Sequence, residues 1–358
     1  MNGAEIPGLG RRVTGLVISG PAGSPRGRSV TPLGGRVAED LLYLGFQGRF
    51  LEASVRNLAG SGLLDTGLSD FGIDVRTTVI ARAMRCGQDG RGDLCHPGLR
   101  SPGPALAFGA TPLEVLRHLA RKGTTPASAR TGGWSWTDVR RGVMGWGGAR
   151  GGMMTQVLAG AALAFKQRGE DRAALVFETR ATLQAGGWHE GMNLAGAVRA
   201  PLIVVVEDGL PSDSSEETDV EAVAASYGVA FERVAEDAHE RVFRMVASAR
   251  RRAVSGEGPT VIVLVPLAEE DSWALHDDFA ARVVARGDVT QSVLDDIESA
   301  AATAVDHASG RLNKEPGPSA RDALAPVLTD AVPVVPWTRR DPPSPAPPPS
   351  TQRAVDAD

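Results

Sequence analysis

Residues 173–207 read AALVFETRATLQAGGWHEGMNLAGAVRAPLIVVVE. Ala173 to Phe177 and Leu202 to Val206 are apolar runs of strand length, and the small-residue stretch Gly187 to Ala197 between them has helical spacing. The pattern continues in both directions. Upstream, a glycine-rich turn at 145–152 leads into an Ala-rich helix over 155–168 that stops at Gly169. Downstream come a polar loop from Asp208 to Thr218, a helix over 219–227, a strand near Val229 to Val234, a long helix over 238–254 and a strand from Thr260 to Val265. Strands alternating with helices at this spacing predict an α/β fold: a parallel sheet covered by helices on both faces.

This body has outlying segments on either side. Residues 1–35 are rich in Gly, Pro, Ser and Arg without sustained periodicity and read as a mobile arm. Leu41, Leu42, Phe46, Phe50, Leu51, Val55 and Leu58 predict a helix between Val37 and Leu64 that opens the folded domain, 36–335. Near its end, Asp288 is expected to cap a helix carrying Val293, Ile297, Ala301 and Val305 on one face. Residues 336–358, with Pro and Ser dominating Asp341 to Ser350, read as an extended tail.

Composition narrows the function. A chain of 358 residues, 42% hydrophobic, can bury a large core. A net charge of −5 gives no broad basic surface for nucleic acid. The longest apolar runs, Leu202 to Val206 and Val261 to Pro266, fall far short of the roughly 20 residues that span a bilayer. Two cysteines, Cys86 and Cys95, fit a reduced cytoplasm and exclude a disulfide framework. The chain has no Gly-x-Gly-x-x-Gly after a strand, no phosphate loop ending in Gly-Lys-Ser, no Gly-x-Ser-x-Gly elbow and no zinc-spaced His/Cys cluster. The pair Cys95-His96 is too short a signal for a metal site. Trp134, Trp136 and Trp146 flank a glycine-rich stretch and read as core rather than as a substrate wall.

Ligands in open α/β sheets sit beyond the carboxyl ends of the strands, so the loops there carry the chemistry. Around them run Gly169-Glu170-Asp171-Arg172, Trp188-His189-Glu190-Gly191-Met192-Asn193-Leu194-Ala195, and Ala200-Pro201 leading to Val206-Glu207. A second block holds Asp93, Pro97, Arg100, Gly103, Ala105-Leu106-Ala107, Gly109, Pro112 and Glu114-Val115-Leu116. Further agreement lies in Leu158 to Ala164, Ala225 to Gly228, Gly256 to Thr260 and the helix after Val289. Together these resemble, in order and over roughly residues 37–332, the alpha subunit of thiamine-diphosphate-dependent 2-oxoacid dehydrogenases of the pyruvate type.

The resemblance implies a thiamine-diphosphate-binding fold and a beta-type partner subunit in an alpha2beta2 assembly, in which beta supplies the glutamate that activates the cofactor. It implies decarboxylation of a 2-oxoacid and passage of the acyl unit to a lipoyl acyltransferase or another acceptor. It also implies a hard cation with oxygen ligands to hold the diphosphate. The family's Gly-Asp-Gly after the first strand falls on Thr179-Arg180-Ala181, and its Asn-Asn pair on Asp208-Gly209, so both metal ligands are replaced and a site without Mg²⁺ is the expectation. Glu178 and Asp208 are the nearby acids, each read as a displaced metal ligand or as a solvated or capping carboxylate. Arg100 matches the family's diphosphate-binding arginine, whereas Leu99 and Pro102 stand where it has tyrosine and histidine. Gly151 and Gly152 fall where the family's backbone approaches the diphosphate, and a tight turn explains them equally.

The implied cofactor contacts are therefore Arg100, Gly151, Gly152, Arg180 and Asp208, with no metal ligand and no catalytic residue assigned. The family's Gly-His-Ser loop falls near Asp271-Ser272, and His276, four residues on, reads as a surface histidine. His189 reads as a packing or hydrogen-bonding residue. Three readings stay open: an alpha-type enzyme subunit; a noncatalytic pseudo-alpha subunit that stabilises a beta-like partner; and a metal-free cofactor anchored by Arg180, since a guanidinium cannot bind Mg²⁺ but neutralises a phosphate directly.

Overall fold

The computed structural model describes residues 32–65, 72–98, 102–125, 136–145, 151–207, 219–235, 238–267 and 269–319. Arg100, Asp208, Trp134, Trp146, the polar loop 208–218, nearly all of the expected arm and the whole expected tail lie outside the described residues. The first elements are α1 (Gly35–Gly60), α2 (Val75–Arg82), β1 (Leu94–His96), α3 (Gly103–Ala107), α4 (Pro112–Leu119), α5 (Met153–Gln167) and β2 (Ala174–Thr179). A single 3-10 turn, Arg180–Gln184, then leads to α6 (Gly186–Val198), β3 (Leu202–Glu207), α7 (Val220–Ser226) and β4 (Ala230–Val234). The last are α8 (His239–Val254), β5 (Thr260–Leu264), α9 (Glu269–Arg286) and α10 (Gln291–Leu312).

Among the described residues the strands form one sheet in the order β1-β2-β3-β5-β4, every pair parallel. The expected class is therefore observed. Because side chains alternate along a strand, each strand supplies two cores. Leu175, Phe177, Ile203, Val205, Ile262 and Leu264 face α2, α8 and α9, packing against Val79, Ile80, Val242, Val246, Phe279 and Val283. Ala174, Val176, Val204, Val206, Val261 and Val263 face the other way, against Met154 and Leu158 of α5, Trp188 and Met192 of α6, and Val220 of α7. Burial on both faces is why these strands read as unbroken apolar runs rather than alternating ones.

A third cluster lies beside the sheet. There α1 gives Leu51 and Val55, α4 gives Val115 and Leu116, and α10 gives Val305, Ala308 and Leu312 around a buried Trp136. The stacking of Trp136 on His118, ring centroids 5.8 Å apart, gives that tryptophan the expected core role. Helix α4 starts with a capping box: the Glu114 amide donates to Thr111 Oγ1 at 3.3 Å, and the Thr111 amide donates to Glu114 Oε2 at 2.8 Å.

The start of α10 differs from expectation. Its cap is Thr290, whose hydroxyl accepts from the Val293 amide at 3.3 Å, while Asp288 sits two residues before that cap and accepts from Arg286 Nε at 2.8 Å. With the helix starting at Gln291 its buried stripe is Leu294, Ala301, Val305, Ala308 and Leu312, and Val293 turns outward, 39% exposed. No described helix is long and apolar enough to cross a membrane.

The chain leaving β3 crosses to α7 on one face and the chain leaving β5 crosses to α9 on the other. In open α/β sheets such a divergence marks the carboxyl edge at which ligands sit.

Candidate functional site

At this edge the pleat decides which side chains meet. His96 follows Cys95, which faces the α8 side, and Glu178 follows Phe177, which does the same, so both polar residues turn toward α5 and α6. The Glu178 carboxylate is buried there. Oε1 accepts from the Thr155 hydroxyl at 2.8 Å and Oε2 from the Gly152 amide at 3.3 Å. Gly152 is the N-cap of α5, so Glu178 satisfies one of the amides that a helix start leaves open, and a carboxylate there gains about 0.3–1 kcal/mol from the helix dipole. Of the two roles expected for Glu178, the structure gives it the capping one.

His96 lies beside it. Its Nδ1 is 2.8 Å from the Met144 carbonyl oxygen, and a carbonyl only accepts, so Nδ1 carries the proton. Burial lowers the pKa of this imidazole, while the bond to Met144 and the charge of Glu178 oppose the shift. The ring is accordingly neutral near pH 7, with Nε2 as its bare nitrogen.

Gly151 and Gly152 form the turn into α5, and their outer faces are filled by this chain. A Cβ on Gly151 would lie 2.3 Å from Thr182 Cγ2, and one on Gly152 would lie 2.5 Å from the Trp188 amide nitrogen. Gly152 also has φ +82°, which favours glycine. These contacts tie the turn to the 3-10 segment and to α6, and the Gly152 amide is spent on Glu178. Arg180 opens that 3-10 segment, half-buried, at the carboxyl end of β2. The structure thus brings Gly151, Gly152 and Arg180 to one edge of the sheet; Arg100 and Asp208 lie outside the described residues.

These residues do not fit a cation-held diphosphate. Arg180 stands at the position of the expected carboxylate ligand, Glu178 is engaged as a helix cap, and the glycine faces are packed. Among the described residues no group of three or more His, Cys, Asp or Glu is placed to hold a metal ion.

Two other places bear on site chemistry. A small cavity beyond β5 is lined by Glu52, Ile73, Asp74, Leu267, Ser272 and Trp273. Its polar groups are engaged: Glu52 accepts from the Ile73 amide at 2.8 Å and pairs with Arg56 at 2.9 Å, Asp74 pairs with Arg76 at 2.6 Å, and Ser272 accepts from the Val75 amide at 2.9 Å. Past it, His276 is not the surface histidine that the sequence suggested. The segment after β5 is helical from Glu269, which turns His276 inward until it is fully buried beside His239, Nδ1 to Nε2 3.4 Å. His189 has its expected hydrogen-bonding role, Nδ1 2.8 Å from the Tyr227 hydroxyl.

Sequence reasoning did not find the Glu178, Thr155 and His96 cluster. The usable signal was the alternation Ala174, Val176, Glu178, which continues an inward-facing row with a charged residue.

The model of the family described as dehydrogenase E1 component matches residues 77–266, more than half of the chain. A pyruvate dehydrogenase E1 component subunit alpha of Bacillus cereus is 38% identical over 113 residues, 29% of this chain and 30% of that relative. The alpha subunit of an acetoin:2,6-dichlorophenolindophenol oxidoreductase of Cupriavidus necator is 25% identical over 262 residues, 66% of this chain and 78% of that relative. The match therefore spans 30% of the length of the Bacillus subunit. Among solved structures, transketolase from Leishmania mexicana aligns at 17% identity and a TM-score of 0.44, covering 81% of this chain and 46% of that chain. By the extent of the family match, the chain is a member of the dehydrogenase E1 component family.

Proposed function

We propose that this chain is the alpha-type subunit of a thiamine-diphosphate-dependent 2-oxoacid dehydrogenase-like complex. The observation that carries the reading is the family match over residues 77–266, which takes in the whole sheet together with α5, α6, α7 and α8 on its two faces. Decarboxylation of a 2-oxoacid and acyl transfer would be performed together with a beta-type subunit, in an alpha2beta2 assembly, with a lipoyl acyltransferase as a candidate acceptor. The two free thiols, Cys86 and Cys95, are in keeping with a cytoplasmic setting.

One observation favours a second reading, in which the chain is a noncatalytic alpha subunit that stabilises a beta-like partner. Arg180 stands at the carboxyl end of β2 in place of a metal-binding carboxylate. A guanidinium and a divalent cation about 4 Å apart repel by about 8 kcal/mol at an effective dielectric near 20. Co-expression with a beta-type subunit, followed by size-exclusion chromatography and an assay for 2-oxoacid decarboxylation with thiamine diphosphate and Mg²⁺, tests both. A complex that turns over supports the first reading and a stable but inactive complex the second. A chain that binds no beta-type subunit contradicts both.

A further inference from the structure

We propose that Glu178 is an anion built into the chain, whose carboxylate occupies the amino end of α5 and so closes that position to a diphosphate from outside. The inference rests on the resemblance, which implies a diphosphate beside Gly151 and Gly152, and where it holds it favours the noncatalytic reading of the proposed function over the first.

Three observations converge on it. The pleat of β2 aims Glu178 at α5, where the Thr155 hydroxyl and the Gly152 amide both donate to it at 2.8 and 3.3 Å. The carboxylate is 6% exposed, so it is held there rather than resting on the surface. Among the described residues the turn that presents these donors is packed on its other side against Thr182 and Trp188, at the faces of the two glycines. One set of donors serves one acceptor. A diphosphate reaching the turn would meet a like charge already bonded to the groups it needs, and the neutral His96 beside it offers no compensating charge. What a ligand does elsewhere at helix starts, a side chain of the neighbouring strand does here.

The test uses the full-length chain and its thermal transition, read together with titration calorimetry. The probes are inorganic diphosphate and thiamine diphosphate, each with and without Mg²⁺. Wild-type protein should show no saturable heat and no shift of its transition with either probe. Glu178→Ala should melt lower than wild type, because two donors lose their acceptor, and should then gain an upward shift of about 2–4 °C as diphosphate binds in its place. Glu178→Gln keeps the shape and one accepting oxygen while removing the charge, so it should gain a weaker upward shift than the alanine variant, and it carries the test should that variant fail to fold. Thr155→Val removes a hydroxyl but leaves the carboxylate in position, so it should melt lower and stay unresponsive.

Saturable binding of diphosphate by the wild-type chain at micromolar concentration would overturn the inference. Folded Glu178 variants that remain unresponsive would overturn it equally. A pull-down with the beta-type subunit, run in parallel, separates this outcome from that of the proposed function: the subunit can bind its partner whichever way the diphosphate experiment falls.

Discussion

Asp93 shows how much one buried side chain can organise. It is fully buried at the start of β1 and accepts from the Arg85 amide at 2.7 Å, the Ala173 amide at 2.9 Å, and Arg250 Nε and Nη2 at 2.6 and 3.0 Å. It thereby ties the approach to β1, the start of β2 and the helix α8 to one carboxylate. Asp93→Ala leaves two amides without their acceptor and Arg250 with Asp171 alone, and should cost about 3–5 kcal/mol in urea denaturation. A loss below about 1 kcal/mol would show that water takes over those bonds. The sequence marked Asp93 as part of a family motif but carried no sign of its task, because the four donors come from three separate stretches of chain. Glu178 is the opposite case: its direction was legible in the strand alternation, and only its partner on α5 required the fold.

Among elements, α1, α8 and α9 meet around a pair of histidines. A Cβ on Gly45 of α1 would lie 2.1 Å from the His276 ring, so that helix gives up a side chain to admit the imidazole. His239 stacks on Phe279 with ring centroids 5.0 Å apart, and Phe46 meets His276 edge-on at 4.9 Å. Among the described residues His239 Nδ1 and His276 Nε2 have no hydrogen-bond partner. Burial pushes the pKa of His239 down to about 3, Glu240 opposing the shift and Arg282 adding to it. His276 is likewise lowered well below its usual value by burial, then by His239 and Arg49.

The sign of the stability effect follows. Above the unfolded value of about 6.5 both states hold neutral rings and stability is complete. Between about 6.5 and 3 the unfolded chain binds a proton that folded His239 refuses, so stability falls as the pH falls, by about 1.4 kcal/mol per unit, and His276 acts in the same direction. Urea midpoints at pH 7, 6 and 5 should drop accordingly, and His239→Phe should roughly halve the part of the slope due to the pair. An unchanged slope in that variant would assign the acid sensitivity to other groups. Helix positions were read well from apolar spacing, as in α5, α6 and α8. The short α2, α3 and α4 were missed, and so was α9, and with it the inward turn of His276, because residues 269–286 carry charges on most turns and their apolar stripe is thin.

For the whole molecule, the sheet was the most legible part, since strands buried on both faces must be apolar throughout. The short β1 was not legible: three residues, one of them a histidine, carry no periodicity. We expect the ends to contribute little to the stability of the body, their composition being poor in apolar residues. Removing residues 1–30 and 340–358 should leave the melting temperature within about 2 °C of the full chain, a change that corresponds to less than about 1 kcal/mol. A larger fall would show that one of these segments docks on the domain.

The two borders of the sheet have a consequence for self-association. On one side the short β1 is shielded by the bridge between Cys95 and Val143. On the other, β4 presents Glu232 and Arg233 among its five residues, and Arg252 pairs with Glu232 at 3.7 Å. Charged and short border strands are poor templates for another chain to zip onto. Copies of this protein, or a partner, would therefore join through helices rather than by extending the sheet, and the folded domain should resist fibre formation under stirring. Replacing Glu232 and Arg233 together by valine would expose an uncharged ribbon, and thioflavin fluorescence should then rise where the wild type stays dark.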